Sequence, residues 1–177
     1  MRPFLSASGP TFMRLDFLLP SGFDSTVQVT RAGQPVATFE TGSLRERVAF
    51  EVDGVAYRAE KSRADGVLVL TNEATGLPEA QVLPVDWTGT DRDVEAAMPS
   101  GAFHQVRFDR VDGAEARIEL RAGGAVVGHL RREGLFEHHV EAHFPDAWPL
   151  PLGVFLGWLA ARQFSGEDAA LLVVTIL

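Results

Sequence analysis

Cysteine is absent from the 177 residues. That excludes a disulfide framework and any thiolate metal site, and it suits a reducing compartment. Positive charge is also in short supply: 16 Lys and Arg against 24 Asp and Glu leave a formal net charge of −8. Such a chain is repelled as a whole by nucleic acid and by anionic membranes, so no nucleic-acid partner is expected. The opening residues, Met1-Arg2-Pro3-Phe4-Leu5-Ser6, carry no apolar run long enough for a signal peptide, and a cytoplasmic location is expected. No G-x-S-x-G elbow, phosphate loop or dinucleotide fingerprint occurs, and no serine is tied to a histidine by spacing. No catalytic residue, cofactor or resident metal is therefore assigned. What is present, 46% hydrophobic and 23% charged residues, is enough for a sizeable core. The length suits one domain over residues 1–177.

From about residue 13 to 144 the chain keeps one rhythm. Short alternating segments are separated by turns rich in Gly, Asp and Pro, the mark of an antiparallel meander. Strands are expected near Met13–Leu19, Val27–Arg31, Val36–Glu40, Val67–Thr71 and Ala80–Leu83, besides the hairpins below. Thr90–Met98 reads instead as a short helix, with Thr90 as N-cap and Asp93 completing a capping box.

Turn lengths fix registers that can be tested against the alternation. A two-residue Asp53-Gly54 turn sets Phe50 opposite Tyr57, Val48 opposite Ala59 and Arg47 opposite Glu60. A three-residue loop Val111-Asp112-Gly113 aligns Phe108 with Ala116 and Val106 with Ile118. The loop Ala122-Gly123-Gly124 aligns Leu120 with Val126 and Ile118 with Gly128, and the outer face then pairs Glu115 with Arg131 and Arg117 with His129. A final loop, Arg132 to Gly134, pairs Leu130 with Phe136 and Val126 with Val140. One inner face then serves four strands without conflict.

After Pro145 and the Pro149/Pro151 pair the rhythm breaks. Leu152-Gly153-Val154-Phe155-Leu156-Gly157-Trp158-Leu159-Ala160-Ala161 is apolar on every side, and a helix of that kind must be covered on every side. The apolar run from Ala147 to Ala161 is shorter than the roughly 20 residues of a membrane span. Burial inside a closed sheet is therefore expected, with a core helix over about 150–164 carrying Val154, Leu156, Trp158 and Leu159, and no transmembrane span. The tail 165–177 is open: Ser165-Gly166-Glu167-Asp168 repeats a capping-box pattern, while Val173-Val174-Thr175-Ile176 would also suit a strand.

A meander of about twelve strands ending in an apolar helix resembles the tubby C-terminal domain superfamily, which includes the LURP-one-related proteins and the phospholipid scramblases. Phe136-Glu137-His138-His139-Val140 through Phe144-Pro145 to Leu150–Ala161 resembles that family's last strand, proline break and core helix. Gly54-Val55-Ala56-Tyr57-Arg58 and Gly128-His129-Leu130-Arg131 resemble its hairpin segments. The resemblance implies a mainly β fold, an antiparallel meander closing into a barrel around the C-terminal hydrophobic helix. It also implies a non-enzymatic role near membranes with a lipid headgroup or a protein as partner. The departures are as informative. The chain has neither a tight Lys/Arg cluster like the phosphoinositide sites of tubby domains nor the lipidated cysteines of scramblases, and Asp91/Asp93 do not form a calcium loop.

Histidines supply the remaining candidates. In Glu137-His138-His139-Val140-Glu141-Ala142-His143, a strand places His139 and His143 roughly 13 Å apart, too far to share one metal, whereas His139 and Glu141 stand about 7 Å apart on one face. The alternation lines up Glu137, His139, Glu141 and His143 outward as a solvated face near His129 and Arg131. It turns His138 inward opposite Gly128, and places His104 inward opposite Leu120, as core or cavity-lining polar groups. Two alternatives to the tubby-like reading follow: a lipocalin-like barrel with a small-molecule cavity, and a cupin-like metal enzyme using His138, His139, Glu141 and His143.

Overall fold

A computed structural model describes residues 11–20, 26–40, 47–61, 67–82, 92–97, 103–111, 117–132 and 139–175. Twelve strands precede one helix. The strands are β1 (Phe12–Leu18), β2 (Thr26–Arg31), β3 (Gln34–Glu40), β4 (Arg47–Val52), β5 (Val55–Lys61), β6 (Leu68–Asn72), β7 (Leu77–Val82), β8 (Arg92–Ala97), β9 (Phe103–Val111), β10 (Arg117–Ala122), β11 (Ala125–Arg132) and β12 (His139–Pro145); α1 is Leu150–Thr175. All ladders are antiparallel. The spatial order is β3-β2-β1-β12-β11-β10-β9-β8-β7-β6-β5-β4. It is a meander cut at one point, because the last strand enters beside the first. The two terminal strands of this order, β3 and β4, approach within 8 Å between Cα atoms.

The hairpin at Asp53-Gly54 forms as its turn chemistry demands. Both residues adopt positive φ (52° and 77°), the mark of a two-residue I′ turn. Arg47 faces Glu60, Val48 faces Ala59, and Phe50 faces Tyr57 with ring centroids 5.7 Å apart.

Three later registers differ from those read in the sequence. Phe108 lies opposite Leu120 and not Ala116, a slip of four residues. Ile118 lies opposite Leu130 and not Gly128, a slip of two. Leu130 lies opposite Ala142 and not Phe136, a slip of six. Every slip is even, and an even slip leaves each side chain on its face of the sheet, so the alternation alone cannot detect it. The connections are also different. Gly123 and Gly124 form a two-residue turn with φ of 58° and 84°, and a bulge follows beside Leu120/Arg121. The loops assumed at 111–113 and 132–134 give way to connections through 112–116 and 133–138, which lie outside the described residues.

The helix expected over Thr90–Met98 is a strand. β8 pairs Val94 with Val82 on one side and with Val106 on the other. A nine-residue helix is marginal on its own, and two open sheet edges, those of β7 and β9, were available to the segment.

Every residue from Pro151 to Ala161 in α1 is buried. Eleven consecutive positions at 100° per residue sample the whole circumference, so protein covers this part of the helix on all sides. Val154 and Leu156 are fully buried, and Trp158 and Leu159 are 1% exposed. They join one core with the inward residues of β1–β7 and β10–β12, such as Phe17, Val29, Phe50, Leu70, Ile118 and Phe144. Two glycines set the helix close to the sheet. A Cβ on Gly157 would fall into the Phe17 ring, and one on Gly153 would lie 3.1 Å from Leu15 Cδ1. The helical backbone continues to Thr175, so the tail is helix and not strand, and Ser165 lies within α1 instead of capping a new helix. No helix among the described residues is long and apolar enough to cross a membrane.

Candidate functional site

The outer face of β12 and its neighbours carries a polar belt that is more buried than a solvated face. Glu141 is the one charged residue among those described that falls in the buried class, at 9% exposure. Register explains the belt. Asp16 faces Glu141 across β1–β12, and Arg131 faces Glu141 across β11–β12. Arg117 faces Arg131 across β10–β11. Two like-charge pairs thus stand directly opposite each other, an unfavourable placement unless a diagonal neighbour intervenes. Arg14 bridges the acidic pair, with its guanidinium donating to Asp16 Oδ1 at 2.8 Å and to Glu141 Oε2 at 3.0 Å. The basic pair is flanked by Glu119, 3.4 Å from Arg117, and by Glu141, 4.0 Å from Arg131.

Three histidines complete the belt. His139 Nε2 lies 3.0 Å from Asp16 Oδ1, and His143 Nε2 lies 2.7 Å from Glu141 Oε1. His129, directly opposite His143, stacks on it with ring centroids 4.7 Å apart and planes 11° from parallel. The ligand atoms of His129, Glu141 and His143 all lie within 4.8 Å of one another.

The belt shifts the titration of its members. Burial alone would raise the Glu141 carboxyl, but the hydrogen bond with His143 and the charge of Arg14 outweigh it and hold Glu141 below its ordinary value. Asp16 is likewise lowered: its burial is outweighed by the hydrogen bonds of Arg14 and His139. His129 is lowered by burial first and then by the charges of His143 and Arg117. At neutral pH the two carboxylates are ionised, and His129 keeps a free lone pair.

Neither of the two histidines expected to face inward has a described side chain, but the registers around them differ from those expected. Leu120 faces Phe108, and His104 in β9 pairs with Ala96; the side chain of His104 lies outside the described residues. Gly128 faces Leu120, and the direction its missing Cβ would take points at the His143 carbonyl oxygen, 2.5 Å away. The glycine therefore makes room for a neighbouring backbone. His138 itself lies outside the described residues. The cupin-like set of His138, His139, Glu141 and His143 is not gathered either, because His139 bonds Asp16 while His143 bonds Glu141. The cluster that does assemble includes His129, which the sequence analysis leaves as a neighbour of a solvated face. Its signal is the cross-strand register, which was six residues away from the one inferred.

Trp148 is half-buried and packs on Phe144 at 6.2 Å between centroids. No family model matches the chain, and comparisons with curated proteins and with solved structures find no match.

Proposed function

We propose that this chain is a non-enzymatic binding domain of tubby-like architecture, a cytoplasmic β-barrel closed on its own helix that meets its partner on the outside. The observation that carries the reading is the burial of Pro151–Ala161 around the full circumference of α1. The approach of β3 to β4 within 8 Å between Cα atoms supports closure of the sheet. An interior holding Trp158, Phe155 and Phe17 at 1% exposure or less is filled by side chains of the chain itself. A lipocalin-like carrier needs that volume empty. The partner class, a lipid headgroup or a protein at a membrane surface, follows from the family resemblance. The polar belt over β1, β12 and β11 is the part of the outer surface with the chemistry to recognise one.

Titration with a fluorescent long-chain fatty acid tests the filled interior, and no saturable one-to-one uptake is expected. Stoichiometric uptake quenched through Trp158 contradicts the reading. Co-sedimentation with vesicles containing phosphoinositides then separates the partners: binding that Arg14→Ala weakens identifies a headgroup, and its absence directs the search to proteins.

A further inference from the structure

We propose that His129, Glu141 and His143 form a binding site for a divalent transition metal of the zinc class, on the outer face where β11 meets β12. A β-sheet brings three ligands to one point most simply through two residues at i and i+2 on one strand and a third directly across on the next, because all three then share a face. Glu141 and His143 are such a pair on β12, and His129 is the residue opposite His143. Residues of one strand at i and i+4, such as His139 and His143, do not meet this condition, and each of these two bonds a different carboxylate.

The distances suit an ion with small adjustment. The three donor atoms already lie within 4.8 Å of one another, and Glu141 Oε1 and His143 Nε2 are 2.7 Å apart. A tetrahedral ion with bonds of about 2.0–2.2 Å holds its ligands about 3.3–3.6 Å apart. Binding requires side-chain rotations that open the carboxylate–imidazole contact and turn the two stacked imidazoles so that a ring nitrogen of each points at the ion. Two imidazoles and one carboxylate select zinc, copper or nickel over calcium and magnesium, which require more oxygen ligands. The site also has an outer layer of the kind metal centres use to orient a ligand: Arg14 holds the second oxygen of Glu141 at 3.0 Å, leaving Oε1 toward the histidines. With three protein ligands and half-buried imidazoles, one coordination position remains for water. Arg14 and Arg131 oppose the charge of any cation here, so affinity has to come from the imidazole bonds, which again favours a transition metal. The proposal does not depend on the tubby-like kinship or on barrel closure.

The test uses the full chain stripped with a chelator and titrated with zinc chloride against a chromophoric competitor. One equivalent of zinc is expected to bind and to raise the melting temperature. His129→Gln and His143→Gln should each weaken binding at least about 100-fold, the upper end of the effect of losing even an outer-layer partner. His139→Gln should retain it. Absence of stoichiometric binding overturns the proposal, as does unchanged affinity in the His129 and His143 variants. A second readout needs no variant: zinc should shift two of the five histidine ring resonances in the wild-type chain, and unmoved resonances overturn the site.

Discussion

The two faces of β12 carry opposite chemistry on one strand. Val140, Ala142 and Phe144 face α1 and are fully buried. His139, Glu141 and His143 face the other way, yet their side chains are only 23%, 12% and 27% exposed. The inner face is held by apolar area and by close approach of the helix, which tolerates no added atom at Gly157. The outer face is held by ion pairs that cancel two like-charge oppositions. The comparison shows how a central strand can be covered on both sides while remaining strictly alternating: the inside is covered by a separate element, and the outside by the long side chains of its own neighbours.

Breaking the inner face should have the largest effect. Trp158→Asp places a charge where Trp158 is 1% exposed, and loss of a cooperative melting transition is expected; a folded variant would show that α1 is not enclosed. Gly157→Ala drives a methyl into the Phe17 ring and should cost about 1–3 kcal/mol in denaturant unfolding. Adding Phe17→Leu should recover part of that loss, and strict additivity of the two would put the helix elsewhere. At the seam of the two faces, Gly128→Ala meets the His143 carbonyl oxygen, a backbone atom that cannot rotate away. A loss of about 1–2 kcal/mol is expected, with wild-type stability arguing against the β11–β12 register.

Changes on the outer face should be smaller. Arg14→Ala leaves Asp16 and Glu141 opposed without their bridge; because Arg14 is 52% exposed, a loss of about 0.5–1 kcal/mol is expected from chemical denaturation. The smallest effect is one of pH. His129 is lowered, so below its ordinary value of about 6.5 the unfolded chain binds protons that the folded chain resists, and stability should fall as pH drops past that point. Asp16 and Glu141 are also lowered, so their contribution persists to more acid pH and is lost as pH falls through their folded values, below the ordinary 3.8 and 4.5. Melting temperatures of His129→Gln between pH 7 and 5 should lack the first decline, and a decline equal to wild type would assign it to another group.

Face assignments were legible for most of the described strands, but not for Val126, which is read as inward yet pairs with Arg121 past the bulge and is 47% exposed; registers were legible only where a turn declared itself. Asp53-Gly54 takes positive φ at both positions, and with two residues in the turn the whole β4–β5 ladder follows. Around Asp112-Gly113 and Glu133-Gly134 similar glycine signals suggest short loops, but Phe108 and Leu130 pair with Leu120 and Ala142. Leu, Phe and Ala satisfy an inner position equally well at each even offset, so nothing in the alternation opposed the shorter loops. The β8 segment failed for a related reason. Its capping pattern is a local preference of about 0.5–2 kcal/mol, less than the ladder bonds to two neighbouring strands provide together.

The sequence alone determined the inward residues of most described strands, that the meander is antiparallel, and that Leu152–Ala161 has to be enclosed, because period and hydrophobicity are properties of each segment taken separately. Tertiary structure alone decided that His129 stands against His143, with Glu141 beside them, and that Asp16, Arg14 and Arg131 converge there. Those contacts join positions up to 127 residues apart, from Arg14 to Glu141. They depend on which even offset the strands adopt, a choice to which the alternating pattern is indifferent and which the packing of the whole molecule resolves.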